Sequence, residues 1–311
     1  MSNPTVLKRD GGPSERPMPS SMPFVHRFKA MTVPCEVQLF GSPKASQIAA
    51  VIEQDTYRLE QKYNFYSEQS WLTRELNQRT GHSVLLDEES LVVFQTLKNL
   101  VAGTAGVFDP TVGSLKWLLN NNASLSRTQA YQIAQPMMGE AAWHIENNQL
   151  IISHDETRFD LGGVIKEFAI DQAINFAESM GVSAALINFG GDIRVLGSKP
   201  NQEAFNVAVV NPHDPTQAFF SLPLVNSALT TSAHYERKTQ FSDGPSSHIL
   251  SEKGTHSKVL SVSVVAPSAL EAGAISTALT IAPSLPVPDE VAVIFIDDQL
   301  KIHQDTEFLT Q

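Results

Sequence analysis

The sequence is poor in cysteine and in long hydrophobic runs. Its 311 residues include one cysteine, Cys35, which excludes a disulfide framework and a cluster of thiolates around a metal. No run approaches the roughly 18 consecutive apolar residues of a membrane-spanning helix. Residues 1–23 contain five prolines and no apolar stretch, so they predict a disordered tail rather than a secretory signal. We therefore expect a cytoplasmic protein without membrane insertion.

Basic residues are scarce relative to acidic ones. The chain has 22 Lys and Arg against 33 Asp and Glu, a formal net charge of −11. Nucleic acids and anionic lipid surfaces both attract clustered positive charge, so this balance argues against either partner. The composition, 42% apolar and 18% charged, is that of a folded globular protein. At roughly 150 residues per domain, the length allows two domains or one large domain with two lobes.

Several catalytic motifs are absent. The sequence has no G-x-x-x-x-G-K-[ST], no H-E-x-x-H and no G-x-S-x-G. Its nine histidines include no pair at i, i+4, so a histidine-based zinc site on one helix is not predicted.

The hydrophobic pattern predicts an α+β fold. Cys35, Val37 and Leu39 alternate with Glu36 and Gln38, which indicates a strand with Cys35 on its buried face. Helices and strands do not alternate regularly, so a doubly wound parallel sheet is not supported. The predicted helices cover 44–62, 87–102, 165–180 and 269–282, and loops cover 104–113 and 242–257. The predicted strands cover 28–41, 149–153, 159–161, 184–189, 193–196, 205–210, 259–266 and 291–297.

Glycine-rich polar loops carry the remaining chemical signal. Gly162 and Gly163 directly precede a predicted helix, and Lys166 lies in the first turn of that helix. Backbone N–H groups at a helix start, together with a nearby cation, can hold a pyrophosphate. The alternative is that the two glycines only terminate the preceding segment and begin the helix.

Residues 159–171 read FDLGGVIKEFAID. They resemble the signature D-L-G-G-x-A-K-G-x-A-x-D of the ApbE family of FAD:protein FMN transferases. Further blocks match in the same order over about residues 28–285. They are 28–41, 106–113 (GVFDPTVG), 187–193 (INFGGDI), 229–237 with 247–249 (SHI), and 262–278 (VSVVAPSALEAGAISTA).

The resemblance implies an enzyme that uses FAD as substrate and a divalent cation, usually Mg²⁺. Members of the family cleave the FAD pyrophosphate and transfer FMN to a Thr or Ser hydroxyl of a target flavoprotein. The implied fold is ApbE-like (T-fold-like), a single domain over 24–311 with two similar lobes and FAD between them. Many members are exported lipoproteins, whereas this sequence shows neither a signal peptide nor a lipobox. Two alternatives stay open, namely a flavin-binding carrier or regulatory module without transferase activity, and an FAD pyrophosphatase.

The resemblance also assigns site residues. His248 matches the proposed acid/base histidine, and Gly163, Gly273 and Thr277 match the metal-binding positions. The positions that match flavin-nucleotide contacts are Met31, Tyr66, Val107, Phe108, Asp109, Asp160, Lys166 and Ile249. By residue type alone, Tyr66 and Phe108 are core aromatics, Asp109 is a turn residue and His248 is an exposed loop residue.

One implied metal position lacks its carboxylate. Family members usually have Asp four residues before the Thr, but here Gly273 precedes Thr277. Glycine brings no side-chain oxygen, although Mg²⁺ prefers oxygen ligands such as carboxylates. Glu167 can supply a displaced carboxylate or can be a solvated helix residue. Glu271 is a further candidate, although two residues along a helix turn it about 200° away. On this basis we expect Gly273→Asp to tighten Mg²⁺ binding.

Overall fold

The computed structural model describes residues 22–122, 124–233, 238–241, 244–247, 258–304, 306 and 309. The predicted tail therefore lies outside the described residues apart from its last two positions. The helices are α1 (Ala45–Tyr63), α2 (Glu88–Gly103), α3 (Gly113–Asn121), α4 (Arg127–Ala134), α5 (Ile165–Ser179) and α6 (Ala269–Ile281). The first strands are β1 (Phe24–Ala30), β2 (Val33–Leu39), β3 (Ser83–Leu85), β4 (Trp143–Glu146), β5 (Gln149–Ile152), β6 (Ala185–Phe189), β7 (Asp192–Leu196) and β8 (Phe205–Asn211). The later strands are β9 (Asp214–Leu224), β10 (Ala228–Ala233), β11 (Lys238–Phe241), β12 (Gly244–Ser247), β13 (Val259–Ala266), β14 (Ala292–Asp297) and β15 (Ile302–His303).

An eight-stranded sheet organises the chain, in the order β1-β2-β6-β7-β10-β13-β14-β15. Every adjacent pair in it is antiparallel, so the predicted α+β class is confirmed. The single strand predicted over 28–41 is wrong, because the chain forms a hairpin whose strands pair Phe28 with Cys35. Cys35 is buried as predicted, and burial raises the pKa of its thiol to about 11. The thiol therefore stays protonated at neutral pH and serves as packing.

The four predicted helices are confirmed, with bounds shifted by at most one residue. α1, α5 and α6 pack on one face of the large sheet, and the β8–β9 hairpin contributes to a second apolar cluster with β7 and β10. α6 is buried on nearly all sides, which is the pattern of a helix enclosed by its neighbours. The loop predicted over 104–113 contains a short 3₁₀ turn, Pro110–Val112, that runs into α3. α3 and α4 were not predicted. Among the described residues, no helix is both long and apolar enough to cross a membrane, and the cytoplasmic location stays a prediction.

A cluster of aromatic rings supports the smaller three-stranded sheet, β3-β5-β4. Phe94, Trp143 and Phe159 meet edge to face, with ring centroids 5.4–5.9 Å apart. The strand predicted over 159–161 is wrong, since these residues have no strand partner. Instead, the Asn77 amide donates to the Phe159 carbonyl at 2.9 Å and accepts from the Phe159 N–H at 2.8 Å. One side chain thus satisfies the buried backbone that a strand neighbour would otherwise have satisfied.

Asp171 joins α5, α6 and β7. Its two carboxylate oxygens accept hydrogen bonds from the N–H groups of Ala269 and Leu270 at 2.9 and 3.0 Å. Arg194 of β7 donates to the same carboxylate at 2.8 Å. Because the first N–H groups of a helix lack partners within the helix, this carboxylate caps α6 from outside and holds it against α5.

We predict that Asp171→Ala lowers the free energy of unfolding by at least about 2 kcal/mol, because α6 loses a cap and Arg194 loses its partner. Urea denaturation followed by circular dichroism measures the change. Asp289→Ala is the control, because Asp289 is exposed in the loop before β14. Equal stability of both variants would show that Asp171 does not hold α6 in place.

Candidate active site

A cavity of about 1430 Å³ opens where the sheet, α6 and the glycine-rich loops meet. Its volume exceeds the roughly 300–1,000 Å³ of typical small-molecule pockets, so it can hold a dinucleotide. The structure brings all the predicted site residues that it describes to this one cavity. They are Met31, Tyr66, Val107, Phe108, Asp109, Asp160, Gly163, Lys166, Gly273 and Thr277. His248 and Ile249 lie outside the described residues.

The turn between β1 and β2 forms one wall of the cavity. Met31 and Thr32 both have positive φ, 50° and 68°, a conformation that side-chain-bearing residues adopt at a cost in energy. The β6–β7 turn approaches from the side, and a Cβ at Gly190 would lie 2.8 Å from Val33. The absence of a side chain at Gly190 therefore lets the two turns pack together at the cavity edge.

The loop 106–113 is fixed by hydrogen bonds from within and by a close backbone contact. Asp109 accepts from the N–H of Thr111 at 2.8 Å and from the N–H of Gly139 at 2.9 Å. Burial raises the pKa of the Asp109 carboxyl, and these hydrogen bonds oppose the shift. A Cβ at Gly113 would lie 2.7 Å from the Arg158 carbonyl, so only glycine permits this approach. Asp109 is thus a turn residue, as its type predicts, and it also lines the cavity.

The two aromatic residues predicted for the site differ in burial. Phe108 is 7% exposed and belongs to the core while also lining the cavity. Tyr66 is 74% exposed, so the interpretation of Tyr66 as a core aromatic is wrong. Its ring meets Phe65 edge to face, with centroids 5.2 Å apart. Tyr66 therefore presents an open aromatic face at the cavity mouth.

Asp160 pairs with a lysine that the sequence analysis did not identify. The Lys116 ammonium contacts one Asp160 oxygen, and Gly162 N–H donates to the other at 2.8 Å. Lys116 lies in the first turn of α3 and lines the cavity. Lys116 lies just after the GVFDPTVG block. This position could have identified it as a site residue, because the first turn of a helix that begins in a site loop lies close to that site.

A second cation lies between two carboxylates at the start of α5. The Lys166 ammonium donates to Glu167 Oε1 at 2.9 Å and contacts the Asp192 carboxylate of β7. All three side chains are largely buried and line the cavity. Asp192 lies in the 187–193 block that resembles the family, but no role was predicted for it. The group carries one net negative charge when both carboxylates are ionised.

Glu167 lies against α6 rather than in solvent. The residue is 5% exposed, so the interpretation of Glu167 as a solvated helix residue is wrong. Its side chain occupies the space beside Gly273, where a Cβ would lie 2.8 Å from Glu167 Cγ and 3.2 Å from Cδ. Glu167 Oε2 is buried and has no hydrogen-bond partner among the described residues.

Hydroxyl groups on α6 and β10 face the same region. Ser232 Oγ lies 2.9 Å from Ser276 Oγ and 3.3 Å from Thr277 Oγ1. Gly273 and Thr277 are four residues apart on α6, so they share one face of the helix. Hydroxyl oxygens from two elements therefore line the same cavity as Gly273.

A sequence model of the ApbE family matches residues 31–289. The chain therefore belongs to the ApbE family. It is similar to the FAD:protein FMN transferase of Chlamydia trachomatis, with 28% identity over 275 residues that cover 80% of this chain and 81% of the relative. It is also similar to the FAD:protein FMN transferase of Treponema pallidum, with 24% identity over 271 residues that cover 78% of this chain and 74% of the relative.

Solved structures agree on the fold. The crystal structure of the ApbE protein from Thermotoga maritima matches with a TM-score of 0.81 and 23% identity, over 92% of this chain and 98% of that chain. The flavin transferase ApbE from Vibrio cholerae matches with a TM-score of 0.76 and 19% identity, over the same shares. The predicted ApbE-like fold is confirmed.

We predict that the effect of Gly273→Ala changes sign with residue 167. In the wild-type background the new Cβ overpacks against Glu167 and lowers the free energy of unfolding by about 1–3 kcal/mol. In a Glu167→Ala background the same change stabilises the helix by up to about 1 kcal/mol, because alanine is the better helix former.

Urea denaturation of the four proteins forms a double-mutant cycle that measures this coupling. Gly103→Ala is the matched control, because a Cβ at that helical glycine would meet no atom within 4 Å. The same effect of Gly273→Ala in both backgrounds would show that the two residues do not compete for space.

Proposed function

We propose that this protein transfers FMN from FAD to a Thr or Ser hydroxyl of a partner flavoprotein. The observation that carries the proposal is the convergence of the predicted flavin-nucleotide positions on one cavity large enough for FAD. Family membership and relatives named FAD:protein FMN transferase support the same reaction. We further propose that FAD lies between the two lobes of the fold, with Tyr66 and Phe108 beside its rings.

The FAD pyrophosphate is proposed to bind at the start of α5. A Cβ placed on Gly163 would lie 3.9 Å from the Phe108 ring. The glycine loop before α5 is therefore close to Phe108. Lys166 in the first turn supplies a positive charge that can turn from its carboxylate partners to a phosphate oxygen. Lys116, held by Asp160, supplies a second positive charge at the cavity wall.

The transfer is one displacement at the FMN phosphorus. The acceptor hydroxyl oxygen forms a bond to that phosphorus, and the bond from phosphorus to the bridging oxygen breaks, so AMP leaves with the bonding electron pair. The hydroxyl proton passes to a base, and by resemblance we assign this role to His248. An imidazole titrates near neutral pH and suits this transfer.

The donors around Gly273 fit a divalent cation such as Mg²⁺. Mg²⁺ is commonly held by one or two carboxylates together with substrate phosphates. Among the described residues, no group of three or more His, Cys, Asp or Glu side chains forms a metal cluster, whereas a buried carboxylate oxygen of Glu167 lacks a partner. We propose that Thr277 is one protein ligand of the cation, which when bound would neutralise phosphoryl charge.

We predict that the protein, incubated with FAD, Mg²⁺ and an acceptor flavoprotein or peptide containing Thr, adds one FMN to the acceptor. Intact-mass spectrometry detects the product. His248→Ala should slow transfer about 10²–10⁴-fold while FAD affinity changes little, because it removes the base. Release of free FMN without acceptor labelling would support a pyrophosphatase, and FAD binding without turnover would support a flavin-binding module.

We predict that Lys166→Ala weakens FAD binding by roughly 1.5–3 kcal/mol, the value of a hydrogen bond to a charged group. The variant also leaves Glu167 and Asp192 unneutralised beside the phosphates. Quenching of flavin fluorescence on binding measures the dissociation constant. Lys44→Ala is the control, because Lys44 is exposed before α1. An unchanged dissociation constant in Lys166→Ala would exclude Lys166 from the phosphate site.

A further inference from the structure

We propose that Glu167 of α5 is the carboxylate ligand of the divalent cation and that Gly273 of α6 provides the space that this ligand needs. The inference rests on the proposed function, since it concerns the cation that would accompany FAD. It assigns the role to a pair of residues on two helices of this chain.

The Glu167 side chain is buried, and one of its carboxylate oxygens is unpartnered among the described residues. Glu167 is only 5% exposed, and it lines the cavity. Oε1 accepts from Lys166, but Oε2 has no partner among the described residues. A buried carboxylate oxygen without a partner costs free energy. A cation bound at that oxygen would remove the cost.

Glu167 also fills the space beside Gly273. Glu167 Cγ and Cδ occupy the volume that any side chain at residue 273 would need, with distances of 2.8 and 3.2 Å from an ideal Cβ there. In this packing, the space beside α6 therefore holds either the Glu167 side chain or a side chain at residue 273, but not both. Our expectation that Gly273→Asp alone tightens Mg²⁺ binding is accordingly revised, because that variant would place two carboxylates in one space.

The charges around Lys166 are not balanced. Lys166 neutralises only one of the two carboxylates that it contacts, Glu167 and Asp192. A pyrophosphate that entered this region would add negative charge beside them, and repulsion at short range in a partly buried site is strong. A divalent cation between Glu167 and the phosphates would offset this repulsion. Lys166 alone carries too little charge to do so.

Neutral hydroxyl oxygens on α6 and β10 line the same cavity as Gly273. Thr277 lies one helical turn after Gly273, and its hydroxyl contacts Ser232 at 3.3 Å. Ser276 is within 2.9 Å of the same serine hydroxyl. Mg²⁺ and Mn²⁺ both accept hydroxyl and carboxylate oxygens. The hydroxyl of Thr277 is therefore the second protein ligand that we assign.

The test is direct binding of Mn²⁺ to the full-length protein, with and without saturating FAD, measured from the loss of the free-Mn²⁺ electron paramagnetic resonance signal. We expect Glu167→Gln to raise the Mn²⁺ dissociation constant by at least about tenfold, since loss of residues that merely support a metal ligand already has effects of that size. We expect the exchange variant Glu167→Gly/Gly273→Asp to recover most of the affinity. Gly273→Asp alone should not bind Mn²⁺ more tightly than wild type.

Glu178→Gln is the matched control, because Glu178 lies on the same helix and is exposed. Unchanged Mn²⁺ binding in Glu167→Gln, or no Mn²⁺ binding by wild type with FAD, would overturn the inference. If Glu167→Gln does not fold, the exchange variant Glu167→Gly/Gly273→Asp decides. Its failure to bind Mn²⁺ would overturn the inference. Transfer of FMN by the wild type is measured separately. The proposed function can therefore hold while the Glu167 assignment fails, and the assignment can hold while the proposed function fails.

Discussion

The contact between α5 and α6 is the constraint on which the site depends. Glu167 and Asp171 are four residues apart on α5, so both face α6. Asp171 caps the first N–H groups of α6, and Glu167 lies against the glycine one turn further along. One carboxylate therefore fixes where α6 begins, and the other requires a residue without a side chain at position 273. A larger residue at either contact would move α6, and with it the hydroxyls of Thr277 and Ser276.

This contact also determines the electrostatics of the cavity. Glu167 and Lys166 both lie in the first turn of α5, and Lys166 contacts Asp192 of β7. Arg194, two residues later on β7, pairs with Asp171. Two ion pairs thus join the same strand, in the interior of the sheet, to the same helix. The charged groups of the cavity are therefore held in place by ion pairs, and Lys166 reaches a phosphate only by leaving its two carboxylate partners.

Four of the six described helices followed from hydrophobic periodicity, because long amphipathic segments have a strong local signal. The α+β class followed from the lack of a regular alternation of helices and strands. The resemblance located the cavity residues, since most of them lie in sequence blocks that match the family. The burial of Glu167 could not be predicted, because it depends on a helix about one hundred residues away in sequence. Lys116 and Asn77 were missed for the same reason, as each acts on the segment around residue 159 through tertiary contacts. The hairpin turn at Met31 was missed because neither Met31 nor Thr32 favours positive φ.

The proposed cation beside Glu167 and Gly273 can be located in a crystal of the full-length protein with FAD and Mn²⁺, measured at the manganese absorption edge. We expect one strong anomalous peak at about 2.0–2.3 Å from a Glu167 carboxylate oxygen, with the Thr277 hydroxyl and phosphate oxygens as further ligands. A peak ligated by other residues, with Glu167 still paired only to Lys166, would contradict it.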